Sequence, residues 1–449
     1  MADDAVRSPC RADLLRVVST AGPLYVSMIA ASLSALVNVA VLGRTSTADL
    51  AAFALTGAVF FPATAAVSGA VRGVMPFVSS AAGDPAGLRR VIADGTWLAV
   101  VIGVLGGLAV TAVPALGRVA GVPPQTLSQL GFYPLLMAAA VVLTALGSMA
   151  SSSLVGMGRS PVVMRTGLLG AVCTMLLSPL LVLGIGPLPA LGLPGSGVAL
   201  LVANVATLAV NLVWLRRHVA FSLASSLRDG PCWGRILTLA RVGIPMAGTV
   251  LVKFTVLGIV ALAAARVSTT AAASHGIATT LVGLTFTAAV AVGQAGIPLV
   301  SERAVTSDVS GVRRAVAAGL LVAGTVVAIL CGALFSFRND VAALFSTDQD
   351  VRALLTLLLP VVAVAIAADS LQAVIGFGLA GLRQTMPSFV IFCASYGLLA
   401  LLAVPVAETF GVVALWIVIA GVNACLIIGQ AAVFWQITAA LRQPLRSPV

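Results

Sequence analysis

Along this chain, apolar stretches of about 20 residues alternate with short polar gaps, and each stretch is long enough to cross a bilayer as a helix. Twelve such stretches can be marked, at 17–42, 50–77, 92–114, 128–149, 163–186, 196–215, 237–265, 271–300, 313–335, 353–380, 388–406 and 411–436. The runs are too long for strands and lack alternation of period two, which argues against a barrel. The pattern predicts an all-α integral membrane protein with twelve transmembrane helices.

Composition agrees with that reading. The chain has 449 residues, of which 60% are apolar and 9% charged, whereas soluble domains run near ~45–50% apolar and ~25% charged. A soluble core of this size could not hide so much apolar surface, so the surrounding solvent must be lipid. Two histidines and three tyrosines leave little material for metal sites or acid–base chemistry, and the chain is read as a non-enzyme without cofactor. The six cysteines show no paired spacing, and four lie inside apolar runs, which fits small core residues. No G-x-x-x-x-G-K-[ST] loop occurs, so no nucleotide is expected. The N-terminal MADDAVRSPCRADLLR has neither a basic n-region nor a small-residue cleavage site and is read as uncleaved.

The net charge of +11 is spread over the gaps between apolar runs rather than along one face, so membrane topology explains it better than nucleic acid. An even number of spans puts both termini on one side. Loops on that side carry Arg7, Arg11, Arg16, Arg89, Arg90, Arg159, Arg216, Arg217, Arg228, Arg235, Arg303, Arg313, Arg314, Arg383, Arg442 and Arg446. The opposite loops carry Arg44, Arg118, Arg266, Arg338 and Arg352. This bias predicts cytoplasmic termini in a multi-pass protein of the cell membrane. The polar segment between the sixth and seventh spans divides the chain into a bundle at 1–220, a cytoplasmic linker at 221–235 and a second bundle at 236–449.

The two halves repeat. At an offset of 222 residues Pro23 meets Pro245, Arg44 meets Arg266, Ser46-Thr47 meets Ser268-Thr269, Pro76 meets Pro298 and Ser79 meets Ser301. Gly156-Met157-Gly158-Arg159 echoes Gly381-Leu382-Arg383, and Val198-Ala199-Leu200 echoes Val413-Ala414-Leu415. Six helices per copy give both copies one orientation, so the fold class is two pseudo-symmetric six-helix bundles related by an axis along the membrane normal. Such repeats build transporters that work by alternating access.

Several segments resemble the MATE (multidrug and toxic compound extrusion) family. Pro23 followed by SALVNVAVLGRTSTADLAAFAL is similar to the family's first helix and the start of its second. GIPMAGTVLVKFTVLGIVALAAARVSTTAAASHGIA resembles its seventh helix and A-A-H-Q-I continuation. ADSLQAVIGFGLAGLRQTMP resembles its tenth, and Tyr396, Pro405 and GVVALW match its eleventh and twelfth. The resemblance implies a two-bundle exporter of small amphipathic or cationic organic molecules. Against the family's acidic pattern, Asn38 stands in the first helix, Thr174 and Ser178 precede Pro179 in the fifth, Lys253 replaces a glutamate and Gly276 a glutamine. Of the carboxylates that the family uses to couple cations to export, only Asp369 survives.

A charge at mid-bilayer costs at least ~2.5 kcal/mol and needs a partner, a wet cavity or a function. Lys253 is the single lysine among 25 basic residues and falls near the middle of the seventh span. An ammonium can lose its proton where a guanidinium cannot, so Lys253 reads as a built-in cation, a proton carrier or a static partner for Asp369. Asp369 and Gln372 share one helical face. Arg72 and Gln294 are related by the repeat offset; both face a cleft, or Arg72 reaches lipid headgroups. Asn38, Asn204 and Asn211 fit interhelical hydrogen bonding better than ligand binding. His275, at the start of the eighth span, reads as a satisfied interface histidine.

The candidate coupling and substrate residues are therefore Asp369, Lys253, Gln372, Asn38, Gln294, Arg72 and Asn204. Protons are favoured over Na⁺, because one carboxylate beside a lysine cannot build an oxygen cage. A monomer with lipid and one small-molecule substrate as its partners is expected. Rival readings are a lipid-linked precursor flippase, which needs more cavity arginines, and a transporter-derived membrane partner that no longer transports.

Overall fold

The computed structural model describes residues 2–184, 189–228 and 230–441, with side chains from residue 10 onward. The side chain of Arg7, and Arg442 and Arg446, lie outside the described residues.

All regular elements among the described residues are helices, as lipid requires of a chain that must satisfy its own backbone. The long ones are α1 (Ala2–Leu42), α2 (Thr47–Arg72), α3 (Pro85–Thr111), α4 (Tyr133–Gly156), α5 (Ser160–Leu183), α6 (Leu193–Val219), α7 (Trp233–Val267), α8 (Thr269–Val305), α9 (Val309–Ser336) and α10 (Gln349–Gly381). The last helical stretch, Thr385–Ala440, is 56 residues long, more than one crossing uses. It breaks at Gly411, where φ 79° and ψ −179° are open only to glycine. That break gives α11 (385–410) and α12 (412–440), and so twelve helices long and apolar enough to span a membrane among the described residues. Large apolar side chains such as Leu36, Leu401 and Ile428 remain exposed, as expected where the outer surface meets lipid rather than water.

The helices outrun their apolar stretches at one end. α1 begins at Ala2 rather than near residue 17, and α7 begins at Trp233. The chain forms two compact units, Pro23–Leu251, and Met1–Gly22 with Val252–Val449. The boundaries therefore fall inside α1 and α7, not in the 221–235 linker. Polarity marks where a chain leaves the membrane, whereas unit membership depends on which neighbours a long helix packs against. The linker itself carries a short helix, Leu223–Arg228, and is tied to α3 by the Trp97 indole, which donates to the Ser226 carbonyl at 3.1 Å.

In the Pro23–Leu251 unit, α4 and α6 run parallel, joined by two rungs seven residues apart. Asn204 Nδ2 donates to Thr144 Oγ1 at 3.3 Å, and Asn211 Nδ2 to Ser151 Oγ at 3.2 Å. α2 meets the first part of α7 backbone to backbone, since a Cβ built on Gly73 would lie 2.7 Å from Gly243 Cα. Arg235, on α7, grips buried Asp94 of α3 with two hydrogen bonds at 2.7 and 3.2 Å.

In the other unit, a core of Val260, Leu358, Ile366, Phe392, Tyr396, Leu415 and Trp416 joins α7, α10, α11 and α12. Asp13, in the stretch of α1 that the sequence reads as a polar tail, is 2% exposed. Arg303 holds it with both terminal nitrogens and also donates to the Gly311 carbonyl at 2.6 Å.

Equivalent positions of the repeat adopt equivalent roles. Ser46 and Ser268 cap α2 and α8 by accepting from Asp49 N and Ala271 N, each at 3.0 Å. Asp84 and Asp308, the latter two residues beyond the 222-residue offset, cap α3 and α9. Backbone N–H groups, chiefly of Gly87 for Asp84 and of Gly311 for Asp308, hold both carboxyls below their usual range. A depressed folded value means that the stabilisation is present above the unfolded value of about 3.9 and fades as pH falls through the folded one. Asp84→Asn with Asp308→Asn keeps both caps but removes their titration. Between pH 5 and about 3, the Tm of the double variant is expected to fall less than that of the wild type.

Candidate functional site

The polar centre of the Met1–Gly22 and Val252–Val449 unit is an ion pair between α7 and α10. Lys253 Nζ donates to both oxygens of Asp369, at 2.8 and 2.7 Å. The Asp369 side chain is 4% exposed and that of Lys253 18%, so neither charge has bulk water to lean on. Gln372, one turn on along α10, donates from Nε2 to Asp369 Oδ1 at 3.1 Å. The Lys253 ammonium also lies 3.8 Å from the ring centroid of Phe286 on α8. Three helices thus converge on one cation through a carboxylate and an aromatic face, both of which attract it.

The structure brings together three of the seven candidate residues, Lys253, Asp369 and Gln372. Asn38 Oδ1 accepts from Ser178 Oγ at 2.6 Å, linking α1 to α5. Asn204 serves in the α4–α6 ladder. Gln294 is 8% exposed and its side chain makes no hydrogen bond among the described residues. Arg72, half-buried at the end of α2, likewise makes none and forms no ion pair. Phe286 is missing from the set because nothing in the sequence shows which aromatic of α8 lies over an ammonium from α7.

Nearby polar side chains are structural. Tyr396 Oη donates to Asn423 Oδ1 at 3.3 Å and Gln430 Nε2 to Ser388 Oγ at 3.0 Å, fastening antiparallel α11 and α12. His275 departs from expectation. It is 3% exposed and stacked obliquely on Trp416, with ring centroids 5.5 Å apart. Both its ring nitrogens lack a partner among the described residues. It is a buried core histidine rather than a satisfied interface one.

Comparison with known proteins places the chain. The MatE family model matches residues 23–180 and 245–406, the same tandem seen in the repeat. A relative from Deinococcus radiodurans carrying the name NorM is 28% identical over 401 residues, 86% of each chain. The multidrug resistance protein PmpM of Pseudomonas aeruginosa is 24% identical over 392 residues, 86% of this chain and 82% of its own. Among solved structures, an outward-facing multidrug resistance MATE family transporter superposes with a TM-score of 0.86 at 18% identity, covering 96% of this chain and 97% of its own. A MATE structure in the straight conformation gives 0.86 at 19% identity, with the same coverage. This chain belongs to the MatE family and is a multi-pass membrane protein.

Proposed function

We propose that this protein is a secondary active exporter of small amphipathic or cationic organic compounds, working by alternating access in the cell membrane with both termini cytoplasmic. Support comes from the MatE family match, from relatives named for multidrug resistance, and from a buried ionisable pair in a spanning unit. The observation that carries the reading is the Lys253–Asp369 pair over Phe286. A charge pair inside a membrane is costly to desolvate, so its retention there points to a function.

Protons are the coupling ion in this reading. Asp369 gains a proton on one side and loses it on the other, and Lys253 leaves and regains the carboxylate accordingly. Na⁺ would need several oxygen ligands, whereas Asp369 already spends both oxygens on one ammonium. The protein acts as a monomer, without nucleotide or metal. In reconstituted vesicles, an imposed pH gradient is expected to drive export at zero Na⁺ gradient. Export that follows a Na⁺ gradient at uniform pH contradicts the coupling. An inert protein under both gradients contradicts the exporter reading and favours a transporter-derived partner.

A further inference from the structure

We infer that His275 is an acid-operated latch in the Met1–Gly22 and Val252–Val449 unit. Neutral, it lets α8 close against α12; taking up a proton, it opens that contact. The inference goes beyond the exporter reading above and does not depend on it.

The contact gathers polar groups that nothing in the described fold satisfies. His275, its chain neighbour Ser274 and Trp416 of α12 are all buried. Eight buried side-chain polar atoms lack a hydrogen-bond partner among the described residues, and four belong to these three residues: His275 Nδ1 and Nε2, Ser274 Oγ and Trp416 Nε1. The His275 and Trp416 rings lie 5.5 Å apart, tilted by 47°, so α8 and α12 meet here through ring faces and not through a hydrogen bond. A neutral imidazole has one donor and one acceptor in either tautomer, and both go unmet. Ala271 and Ala278 of α8 and Leu415 and Ile419 of α12 belong to the same apolar core. Each unmet group costs its desolvation, so packing alone holds this contact shut.

A proton upsets that balance. An imidazolium has two donors and brings a charge into an apolar core. The Trp416 face attracts a cation but gives neither N–H an acceptor. No charged group on the surrounding helices takes that place. Arg266 of α7 and Glu408 of α11 pair with each other at 3.4 Å. Near the start of α10, Asp348 caps the helix and Arg352 donates to the Ser346 carbonyl at 2.5 Å. Arg338 donates to the Phe335 carbonyl at 3.2 Å, and Asp340 and Asp350 are exposed. α12 has no charged residue between 412 and 440, and Arg313 and Arg314 of α9, like Glu302 and Arg303 of α8, stand at the far end of their helices. Phe286, which marks the Lys253–Asp369 pair, lies eleven residues further along α8, about 16 Å at helical rise. The closed contact therefore excludes the proton, whereas an opened one admits water and accepts it. Acid favours the opened form by linkage.

The test is hydrogen exchange of the purified full-length protein, read by mass spectrometry and corrected for the intrinsic effect of pH. From about pH 7.5 to about pH 5.5, exchange in segments 271–281 and 412–420 should rise about ten-fold, because an opened imidazole titrates near its ordinary value of about 6.5 while the closed one stays neutral. Segments 140–151 and 204–211, joined by the α4–α6 rungs, should not respond. His275→Gln keeps a polar side chain that cannot charge, and His275→Leu removes the unmet nitrogens. Both should lose the acid response, and His275→Leu should also exchange more slowly than wild type at about pH 7.5.

Wild-type exchange that ignores pH in 271–281 and 412–420 overturns the inference and needs no variant. So does an acid response that survives in His275→Gln, which would assign it to another group. An equal response in the α4–α6 segments also overturns it, since the loosening would then be general. If neither variant folds, the wild-type comparison of the two units still decides.

Discussion

Lys253→Met is expected to destabilise the protein by about 3–5 kcal/mol, because it strands the Asp369 carboxylate in an apolar interior. Asp369 is 3% exposed, and apart from Lys253 its bonded partner is the Gln372 amide. Asp369→Asn should do less damage, since Lys253 keeps the Phe286 face at 3.8 Å. The two singles should therefore be unequal, with the lysine variant the worse. The double variant should return to near wild-type stability, since removing both charges of a buried pair is often close to neutral. Thermal denaturation of the purified protein reads all three. Equal damage from the two singles would mean that Phe286 contributes nothing to holding the ammonium, and wild-type stability of Lys253→Met would mean that no buried pair exists in the membrane.

The second large effect concerns backbone contact rather than charge. A Cβ built on Gly243 would fall onto the Ala70 carbonyl oxygen and lie 2.9 Å from its carbon. Both are backbone atoms of regular helices and cannot rotate away. Gly69 on α2 and Gly73 capping its end make the small-xxx-small pattern that lets helices close to this distance in lipid. Gly243→Val must separate α2 from the first part of α7, at a cost of about 3 kcal/mol or more, the upper end of overpacking penalties. The variant should be recovered as aggregate or in greatly reduced yield. Gly258, on the same helix, has nothing within 4 Å of its added Cβ. Gly258→Ala should be neutral or stabilising by up to ~1 kcal/mol, which separates steric contact from helix propensity.

Much of the architecture could be read before any coordinates. Long apolar runs must be helices in lipid, and coincident prolines, arginines and capping serines at one offset cannot be explained by small-residue composition. The solitary Lys253 and the surviving Asp369 stood out because charge is scarce in such a chain. What escaped was mostly side-chain pairing across distance. Asp13 looked like part of a solvated tail because its partner Arg303 lies 290 residues away. Arg235 belonged by polarity to a linker, but its partner Asp94 is 141 residues back, and together they anchor α7. Phe286 is one of many aromatics in apolar helices, and only geometry puts its face under an ammonium. The gap between the stretches at 388–406 and 411–436 marked the break between the last two helices, but not the glycine-only backbone that Gly411 adopts there.

The central claim is that the Lys253–Asp369 pair carries proton coupling and is not merely a brace. It is tested most directly by proton-gradient-driven export in vesicles containing the Lys253→Met/Asp369→Asn double variant, whose stability the wild type should match. The account predicts folded protein at normal yield with export driven by the pH gradient lost, while downhill exchange of substrate between vesicle and medium persists. Export that still follows the pH gradient at the wild-type rate would contradict it.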